Sequence, residues 1–491
     1  MGAGPRVAII GGGMSGLAMG IALRRAGMED FTIHEKAASI GGTWRDNIYP
    51  GVACDVPSHL YSYSFEPNPE WSRVYSPGWE IQDYFERCAA KYGLLPHLRT
   101  NSEITSARFD ERTSRWHVTA AGGAEDEADV LVSAAGALHV PNFPDIDGLD
   151  RFGGEVMHSA RWTPETDLAG KRVAVIGSAA SAVQIVPSIA GTAAHLDLYQ
   201  RTANWIIPRL DREYPASWKR AFREFPFAGR LHRWQLYWML ESRFPLFLRR
   251  NRRNARERRL ALRHLEDQVA DPALRRKLTP DYPPGCKRIL VSDDFYPALG
   301  RDNVALVTDP IVRIEPGGIV TADGALHPAD VIILATGFRP TDLPRTEITG
   351  RGGVTLREAW KDGMAAHRTV AVPGFPNFFT LLGPGSGLGH SSIIFMVEAQ
   401  VRYVMQCLWK LVERRTIEPR EDAAARFDAA LQRGLSGTIW QAGCHSWYQD
   451  QNGRITTLWP HSTARYWWDM RKVRFSEYRL GKERPASVLF R

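Results

Sequence analysis

A glycine-rich turn between a short apolar strand and a helix occurs twice in this chain, and no other feature constrains its fold as strongly. In the first copy, the apolar run Val7–Ile10 is followed by Gly11, Gly13 and Gly16 in the spacing G-x-G-x-x-G. Glycines at these positions permit a tight turn and let a pyrophosphate approach the N-terminus of the following helix. The pattern predicts a parallel sheet whose first strand and first helix hold a dinucleotide.

An acidic residue completes the first copy. A second apolar run, Phe31–His34, ends at Glu35, which stands 24 residues after Gly11. A carboxylate at this place can accept hydrogen bonds from ribose hydroxyl groups. Strand, glycines, helix, second strand and acid occur together, so the predicted dinucleotide site does not rest on the glycines alone.

The second copy departs from the glycine spacing. After the apolar run 173–176, Gly177, Ala179 and Ala182 occupy the three glycine positions. Alanine is common at the third position. At the second position it adds a methyl group where the phosphates pass, so this copy alone is a weaker signal than the first.

The charge after the second strand reverses between the copies. Arg201 stands 24 residues after Gly177, at the place that Glu35 has in the first copy, and Thr202 follows it. A guanidinium group suits a 2′-phosphate, and no acid is present there to repel one. We therefore predict that the first copy binds FAD and the second binds NADP.

Two further apolar runs indicate how the two halves are joined. Residues 129–133 and 330–334 are β-branched runs that end in small residues, as expected of strands from which the chain crosses to another domain. We predict an α/β fold with two Rossmann-like dinucleotide-binding domains, one for FAD and one for NADP. The predicted boundaries are 1–145 and 340–491 for the FAD domain and 155–335 for the NADP domain, with a helical basic insertion at 205–285.

Composition excludes several other classes of protein. Of the 491 residues, 44% are hydrophobic and 24% charged, which is the balance of a folded globular chain. The five cysteines form no C-x-x-C pair, which argues against a zinc cluster or a disulfide framework and for reduced thiols in a cytoplasmic protein. No run of about 18 apolar residues occurs, so we expect no integral membrane segment. No metal site is expected either.

The net charge of +8 is concentrated in one segment. Residues 209–264 contain 16 Lys and Arg against 5 Asp and Glu. Leu231, Trp234 and Trp238 share one face of a helix predicted there, and the helices are expected to break near Pro245. Such a face is typical of core packing; the wall of a substrate channel and a basic helix docked on a membrane surface are alternatives. Nucleic-acid binding is a further alternative, which we do not expect.

The C-terminal stretch has no strong period. Residues 443–478 are rich in Trp and Tyr and contain two glycines, Gly443 and Gly453. We expect ordered loops there that pack near a pocket.

The segment between the two copies carries a fingerprint. Phe152, Gly154, His158 and Trp162 fit F-x-G-x-x-x-H-x-x-x-W, although Thr163 stands where Pro or Asp is usual. On these residues the chain resembles the class B flavoprotein monooxygenases, and among them the type I Baeyer–Villiger monooxygenases. Trp162 distinguishes this pattern from that of the flavin-containing N- and S-oxygenases.

Other segments extend the resemblance over nearly the whole chain. Residues 41–65 resemble the flavin-contacting segment of this family, and residues 286–304 resemble the segment that carries its active-site arginine, here Arg288. The resemblance implies that FAD is contacted by Gly11, Gly13, Gly16, Glu35, Gly42, Thr43, Trp44 and Tyr61. It implies that NADP is contacted by Gly177, Ser178, Ser181, Gln184, Arg201, Thr202 and Lys287.

The resemblance also implies a reaction. NADPH and FAD would be used to insert one oxygen atom of O₂ next to a ketone carbonyl, through a C4a-peroxyflavin, to give an ester or lactone. An anionic peroxide and a substrate oxyanion both need a fixed cation, and arginine keeps its proton. We predict that Arg288 is this cation and that Asp55 orients it. His158 is predicted to be structural, at the hinge between the domains, because this chemistry needs no imidazole.

Three other functions are compatible with two dinucleotide sites. An N- or S-oxygenating flavin-containing monooxygenase would share the fold, but Trp162, Asp55 and Arg288 argue against it. A flavin disulfide reductase would need a redox cysteine pair, which Cys54 and Cys88 do not form in sequence. A non-catalytic flavoprotein stays open because of the departures from the glycine and fingerprint patterns. The expected partners are a ketone and O₂, and the expected state is a monomer or a homodimer.

Overall fold

A strand, a helix and a second strand follow one another at each glycine motif, as the motifs predict. The structure, a computed structural model, describes residues 4–249, 252–339, 346–441, 443, 448–450 and 452–483. The strands are β1 (Val7–Ile10), β2 (Phe31–His34), β3 (Leu98–Arg99), β4 (Ile104–Asp110), β5 (Arg115–Ala120), β6 (Glu125–Ala128), β7 (Val130–Ser133), β8 (Glu155–His158), β9 (Arg172–Ile176), β10 (His195–Tyr199), β11 (Ile206–Ile207), β12 (Leu290–Val291), β13 (Val304–Val307), β14 (Ile311–Glu315), β15 (Gly318–Thr321), β16 (Leu326–Pro328), β17 (Val331–Leu334), β18 (Glu347–Thr349), β19 (Phe378–Thr380), β20 (Ile417–Pro419) and β21 (Tyr478–Leu480). The helices are α1 (Met14–Arg25), α2 (Thr43–Asp46), α3 (Gly78–Lys91), α4 (Ala180–Ile189), α5 (Ala216–Glu224), α6 (Pro226–Glu241), α7 (Arg252–Gln268), α8 (Pro272–Leu278), α9 (Phe295–Leu299), α10 (Leu356–Ala359), α11 (Ile393–Glu413), α12 (Glu421–Ser436) and α13 (Thr463–Met470).

The first parallel sheet is built around the first glycine motif. Its strand order is β19-β7-β1-β2-β3, and every neighbouring pair is parallel. Val7 of β1 is aligned with Phe31 on one side and with Val130 on the other. All residues of β1 are buried, as expected of a strand that is covered on both faces. The glycines therefore follow the central strand at its carboxyl end, where open α/β sheets bind ligands.

The second parallel sheet repeats this plan around the second motif. Its strand order is β13-β10-β9-β17-β8, again with parallel neighbours throughout. Gly177 follows β9, the central strand. The fingerprint segment contributes β8 at the edge, where His158 is aligned with Leu334.

A smaller sheet packs on each parallel sheet. β18, β4, β5 and β6 cover one face of the first sheet, through a cluster that contains Ala8 and Trp116. β14, β15 and β16 cover the second sheet, through a cluster that contains Ile176 and Ile319. The molecule thus has the predicted α/β fold with two Rossmann-like units.

The insertion in the second unit is helical, as predicted. Helices α5 to α8 lie within residues 205–285, and α6 ends at Glu241, shortly before Pro245. The connection near that proline is a short 3-10 turn, Phe244–Phe247.

The aromatic face of α6 does not lie in a core, so that prediction is wrong. Leu231, Trp234 and Trp238 are 49%, 59% and 53% exposed. The helix instead buries its opposite side through Leu236 and Leu240. Helical spacing predicts which residues share a face, but it does not predict which face the rest of the chain covers.

The C-terminal stretch is only partly loop. Residues 463–470 form α13, which the lack of a strong period did not predict. Ser462 caps this helix by accepting a hydrogen bond from the backbone N–H of Arg465. The remainder is irregular, and part of it lies outside the described residues.

The cysteines differ from the expectation of five reduced thiols. Cys54, Cys88 and Cys407 are buried free thiols, whereas Cys286 is disulfide-bonded. Cys444 lies outside the described residues. Sequence spacing detects only cysteines that are close along the chain, and a fold can join distant ones.

Candidate active site

The first glycine turn leaves no space for side chains at two positions. Gly11 has φ +108°, and a Cβ there would lie 2.5 Å from the carbonyl oxygen of Ala134. A Cβ on Gly16 would overlap the carbonyl oxygen of Gly11. No described side chain caps the N-terminus of α1, and its first turn contains no acid. Its backbone N–H groups therefore fit a pyrophosphate.

Glu35 lies buried at the carboxyl edge of the first sheet. Its Oε2 accepts a hydrogen bond from the backbone N–H of Gly12 at 2.8 Å. Its Oε1 accepts from the backbone N–H of Ala37 at 3.0 Å and from Nη1 of Arg45 at 2.9 Å. The carboxylate thus faces the glycine turn, at the place predicted for a ribose. Arg45 was not predicted, because no pattern in the sequence links it to Glu35.

The segment that follows brings the other predicted flavin contacts to this turn. Gly42 has φ +57° and precedes α2, and its Cα lies 3.6 Å from where a Cβ on Gly13 would stand. Trp44 donates a hydrogen bond from Nε1 to the hydroxyl of Tyr61 at 3.1 Å. Thr43 is exposed at the start of α2.

The second glycine turn has the same geometry. Gly177 has φ +107°, and a Cβ there would lie 2.5 Å from the carbonyl oxygen of Ala335. Ser178 donates a hydrogen bond to the carbonyl oxygen of Thr202 at 3.3 Å and accepts one at its own carbonyl from Asn204 at 2.9 Å. These bonds tie the turn after β9 to the turn after β10. Asn204 was not predicted as a site residue.

Gln184 and Ser181 link the two units. Gln184 donates from Nε2 to the carbonyl oxygen of Ala53 at 2.9 Å, and its Oε1 accepts from the hydroxyl of Tyr49 at 3.0 Å. Ser181 also hydrogen-bonds Tyr49, whose pKa burial raises to about 12. Both predicted NADP contacts therefore touch the first unit, through a tyrosine that local sequence patterns did not single out.

Two cations meet beside the second cleft. Burial and the nearby positive charge of Arg201 lower the pKa of Lys287. The ammonium group of Lys287 stands 4.8 Å from the ring centre of Tyr282. Arg201 itself is exposed. Two cationic side chains whose charges act on each other can both bind a phosphate dianion.

An arginine–aspartate pair joins the two units. Arg288 donates from Nε and Nη2 to Oδ2 of Asp55, at 2.8 Å and 2.6 Å. The side chains are 36% and 31% exposed. The carboxylate raises the pKa of Arg288 still further above its ordinary value. Two residues beyond this arginine, β12 pairs with β11, which anchors the segment. The result is a permanent cation of fixed orientation.

Tyr448 lies in the field of this pair. Burial raises the pKa of Tyr448 to about 12, against the opposing effect of the positive charge of Arg288. Its ring packs against Trp440 at 6.3 Å between ring centres. No pattern in the sequence predicted Tyr448, because its stretch of chain has no period that would reveal which side chains point inwards.

The fingerprint residues lie where the chain passes between the two units. His158, at the end of β8, is 1% exposed, and its Nδ1 accepts a hydrogen bond from the backbone N–H of Ala160 at 3.0 Å. Burial lowers its pKa to about 4, so the imidazole is neutral at neutral pH. A Cβ on Gly154 would overlap the carbonyl oxygen of Asp330, and Trp162 packs against the core of the second sheet. Phe152 packs against the smaller cluster on the other face of that sheet.

Comparison with known proteins agrees with this geometry. The family described as flavin-binding monooxygenase-like matches residues 4–342. A Baeyer–Villiger monooxygenase of Streptomyces coelicolor is 45% identical over 98% of this chain and 94% of its own length. Another, from Pseudomonas aeruginosa, is 46% identical over 97% of this chain and 91% of its own.

A solved structure extends the similarity to the fold. The crystal structure of OTEMO in complex with FAD and NADP superposes with a TM-score of 0.88 at 29% identity, over 98% of this chain and all of the other. Both the resemblance and the pair of cofactors expected from the sequence are thereby confirmed. This chain belongs to the flavin-binding monooxygenase-like family, among its Baeyer–Villiger monooxygenases, which are enzymes that use FAD and NADP.

Proposed function

We propose that this enzyme inserts one oxygen atom of O₂ beside the carbonyl group of a ketone, to give an ester or a lactone, and that Arg288 is its catalytic cation. The observation that carries the proposal is the Arg288–Asp55 pair, which stands between the two dinucleotide clefts. A cation held at this junction can act on a substrate that reacts between the two cofactors.

We assign FAD to the first cleft. The uncapped helix N-terminus and the glycine turn without space for side chains support this assignment, since both suit a pyrophosphate. When bound, FAD accepts electrons from NADPH and supplies the activation of O₂. The residues proposed to hold it are Gly11, Gly13, Gly16, Glu35, Gly42, Thr43, Trp44 and Tyr61.

We assign NADP to the second cleft. The closeness of two cations, Arg201 and Lys287, supports a ligand with a 2′-phosphate rather than a bare ribose. Other residues proposed to hold it are Gly177, Ser178, Ser181, Gln184 and Thr202. In domain terms, residues 1–145 and 340–491 form the proposed FAD domain and residues 155–335 the NADP domain.

Arg288 acts through a charge that it cannot give up. Negative charge develops on the ketone oxygen as that carbon is attacked, and a preorganised cation in a site poor in water stabilises such charge strongly. A lysine could transfer its proton to an anionic oxidant, whereas arginine does not. Asp55 is a positioning residue: by accepting from both Nε and Nη2, it fixes the plane of the guanidinium and leaves Nη1 outside the pair.

In this proposal His158 has a structural role and takes no part in proton transfer. A neutral, buried imidazole at a strand end offers neither a cation nor an accessible base. We place it at the hinge between the units. The chain is proposed to work in the cytoplasm, where NADPH is available, as a monomer or a homodimer.

The direct test compares ester formation with NADPH consumption. A panel of ketones is offered to wild type, Arg288→Ala and Arg288→Lys, and esters, lactones and hydrogen peroxide are quantified beside NADPH oxidation. We expect Arg288→Ala to lower ester formation by about 10²- to 10³-fold, while NADPH oxidation continues and its electrons appear as hydrogen peroxide. Arg288→Lys should recover part of the loss.

The matched control is a close arginine–aspartate pair that lies wholly within the second unit. Arg172 and Asp330 lie at the start of β9 and of β17, at the opposite edge of the second sheet, so Arg172→Ala should keep ester formation. Full ester formation by Arg288→Ala would refute the assigned role. N-oxides or S-oxides as the sole wild-type products would place the enzyme with the N- and S-oxygenases.

A further inference from the structure

Helix α6 exposes an apolar face to solvent. Phe227, Leu231, Trp234 and Trp238 recur every three or four residues, so they lie on one side of the helix. They are 73%, 49%, 59% and 53% exposed, and the rings of Trp234 and Trp238 lie 6.3 Å apart. We call these four residues the α6 face. An exposed patch of large apolar side chains on one helix marks an interaction site.

The helix that carries this face is firmly anchored. Beside this face, the ring of Tyr237 contacts the ring of Trp238 and stacks on Phe395, each with 5.2 Å between ring centres. The carboxylate of Glu241 is buried and accepts hydrogen bonds from the hydroxyl of Thr463 at 2.6 Å and from the backbone N–H of Ala464 at 3.0 Å. The α6 face is therefore presented on a rigid element.

Basic residues outnumber acidic ones in the insertion. Arg230 is exposed on α6 itself, and Glu241, the one acid of this helix, is buried. Helix α5, which packs beside α6, adds exposed Arg220; its Arg223 is paired with Glu70 at 3.0 Å, and Glu224 beside it is exposed. Residues 209–264 as a whole contain 16 Lys and Arg against 5 Asp and Glu.

We propose that the α6 face docks this enzyme on the surface of an anionic lipid bilayer. Tryptophan and phenylalanine are the side chains that settle at the boundary between headgroups and acyl chains, and basic residues beside them are attracted to anionic headgroups. A second copy of the chain is a poorer partner. In a two-fold contact through this face, the basic residues would oppose their own copies.

The contact is peripheral. Within residues 4–249, 252–339, 346–441 and the shorter described stretches, no helix is long and apolar enough to cross a bilayer. Helix α6 would lie in the plane of the membrane surface. The α6 face would point into the bilayer, and the other side of the helix would stay packed against the rest of the enzyme.

Vesicle flotation tests the proposal on the purified holoenzyme. Vesicles of phosphatidylcholine alone are compared with vesicles of phosphatidylcholine and phosphatidylglycerol in equal amounts, at low and high salt. We expect flotation with the anionic vesicles at low salt and little with the neutral ones. Trp234→Gln combined with Trp238→Gln should weaken binding by roughly tenfold. Arg220→Glu combined with Arg230→Glu should weaken it by roughly fivefold per arginine.

The control is a tryptophan outside the α6 face. Trp409, on α11, is 52% exposed, so Trp409→Gln should float like wild type. Flavin content and melting temperature of each variant verify that the fold is kept.

Absence of flotation in wild type, or equal flotation of the double tryptophan variant, would overturn the proposal. Dimerisation that the tryptophan changes abolish, without vesicle binding, would assign the face to a second copy. If the protein retains duplex DNA, and only the arginine changes abolish that retention, the basic residues of the insertion bind nucleic acid. That result would also overturn the proposal.

Discussion

The two dinucleotide units of this enzyme share their first glycine and differ at their third. Gly11 and Gly177 have φ values of +108° and +107°, and a Cβ on either would lie 2.5 Å from a backbone carbonyl oxygen. At the third position, Gly16 has no space for a side chain, whereas Ala182 carries a methyl group and is fully buried. The first glycine is thus required by the turn itself. The third is required only where the helix approaches its own turn as closely as α1 does.

The second glycine position teaches something different. A Cβ on Gly13 would stand 3.6 Å from the Cα of Gly42, which is ordinary van der Waals distance. The protein alone would therefore accept alanine there, as the second unit does with Ala179. Only the ligand would require glycine at the second position, because its phosphates need close approach to the backbone there.

The largest expected effect follows from the third position. Gly16→Ala should destabilise the first unit by about 3 kcal/mol, because the new methyl group overlaps a backbone carbonyl oxygen. Flavin should be lost on purification. The reciprocal change, Ala182→Gly, should cost about 1 kcal/mol and keep NADPH binding. For each of the two variants, the melting temperature measures stability and the ratio of flavin to protein absorbance measures flavin binding. Equal losses for the two variants would mean that the units do not differ as described.

The charge reversal between the units gives the next effect. Arg201→Gln should weaken NADPH binding by about 10- to 100-fold, the scale of a lost charge-assisted hydrogen bond. Binding of NADH, which has no 2′-phosphate, should hardly change. Dissociation constants for both nucleotides, with flavin content as control, test this. An equal loss for NADH would show that Arg201 supports the turn and does not select the cofactor.

The coupling of the two cations predicts a pH dependence. Because burial and Arg201 lower the pKa of Lys287, this ammonium group loses its proton at a lower pH than an ordinary lysine. A 2′-phosphate favours the charged form, so NADPH affinity should be full below the lowered pKa and fall as pH rises through it. The fall should be about tenfold, roughly one charged contact. In Arg201→Gln the pKa of Lys287 should rise and the fall should move to higher pH. NADH, which has no 2′-phosphate, should bind with an affinity that does not change with pH. An NADPH affinity that is equally independent of pH would contradict the role given to Lys287.

The smallest expected effect concerns Ala179, the alanine at the second glycine position of the second unit. Ala179→Gly should tighten NADPH binding by about fivefold at most, because it removes a methyl group from the path of the phosphates. The melting temperature should hardly change, since Ala179 is the N-cap residue of α4, a position that accepts glycine at least as well as alanine. Weaker NADPH binding in this variant would show that the second unit is adapted to its alanine.

Local patterns predicted the strands and turns because the forces that form them act over a few residues. β1, β2 and β9 follow from short apolar runs beside glycines, and the fold class follows from their repetition. The Arg288–Asp55 pair, whose members are 233 residues apart, was predicted only through family resemblance. No local pattern relates two such distant positions.

The missed features are contacts between distant parts of the chain. Tyr49 reaches Gln184 in the other unit, and Cys286 is disulfide-bonded although no other cysteine is near it in sequence. The same limit explains the α6 face. Leu231, Trp234 and Trp238 were predicted to share a face and do so, but whether such a face is covered depends on the elements that pack against the helix.

The position of the Arg288–Asp55 pair has a consequence for control of the reaction. Asp55 belongs to the first unit and Arg288 to the second, so neither unit contains the whole of the proposed centre. Rotation of one unit against the other would separate the two charges and release the guanidinium from its fixed plane. In the role proposed for Arg288, its guanidinium group keeps this orientation only while the two units are in contact through Asp55. Oxygen transfer to the ketone, unlike NADPH oxidation, is therefore expected to require that arrangement of the units.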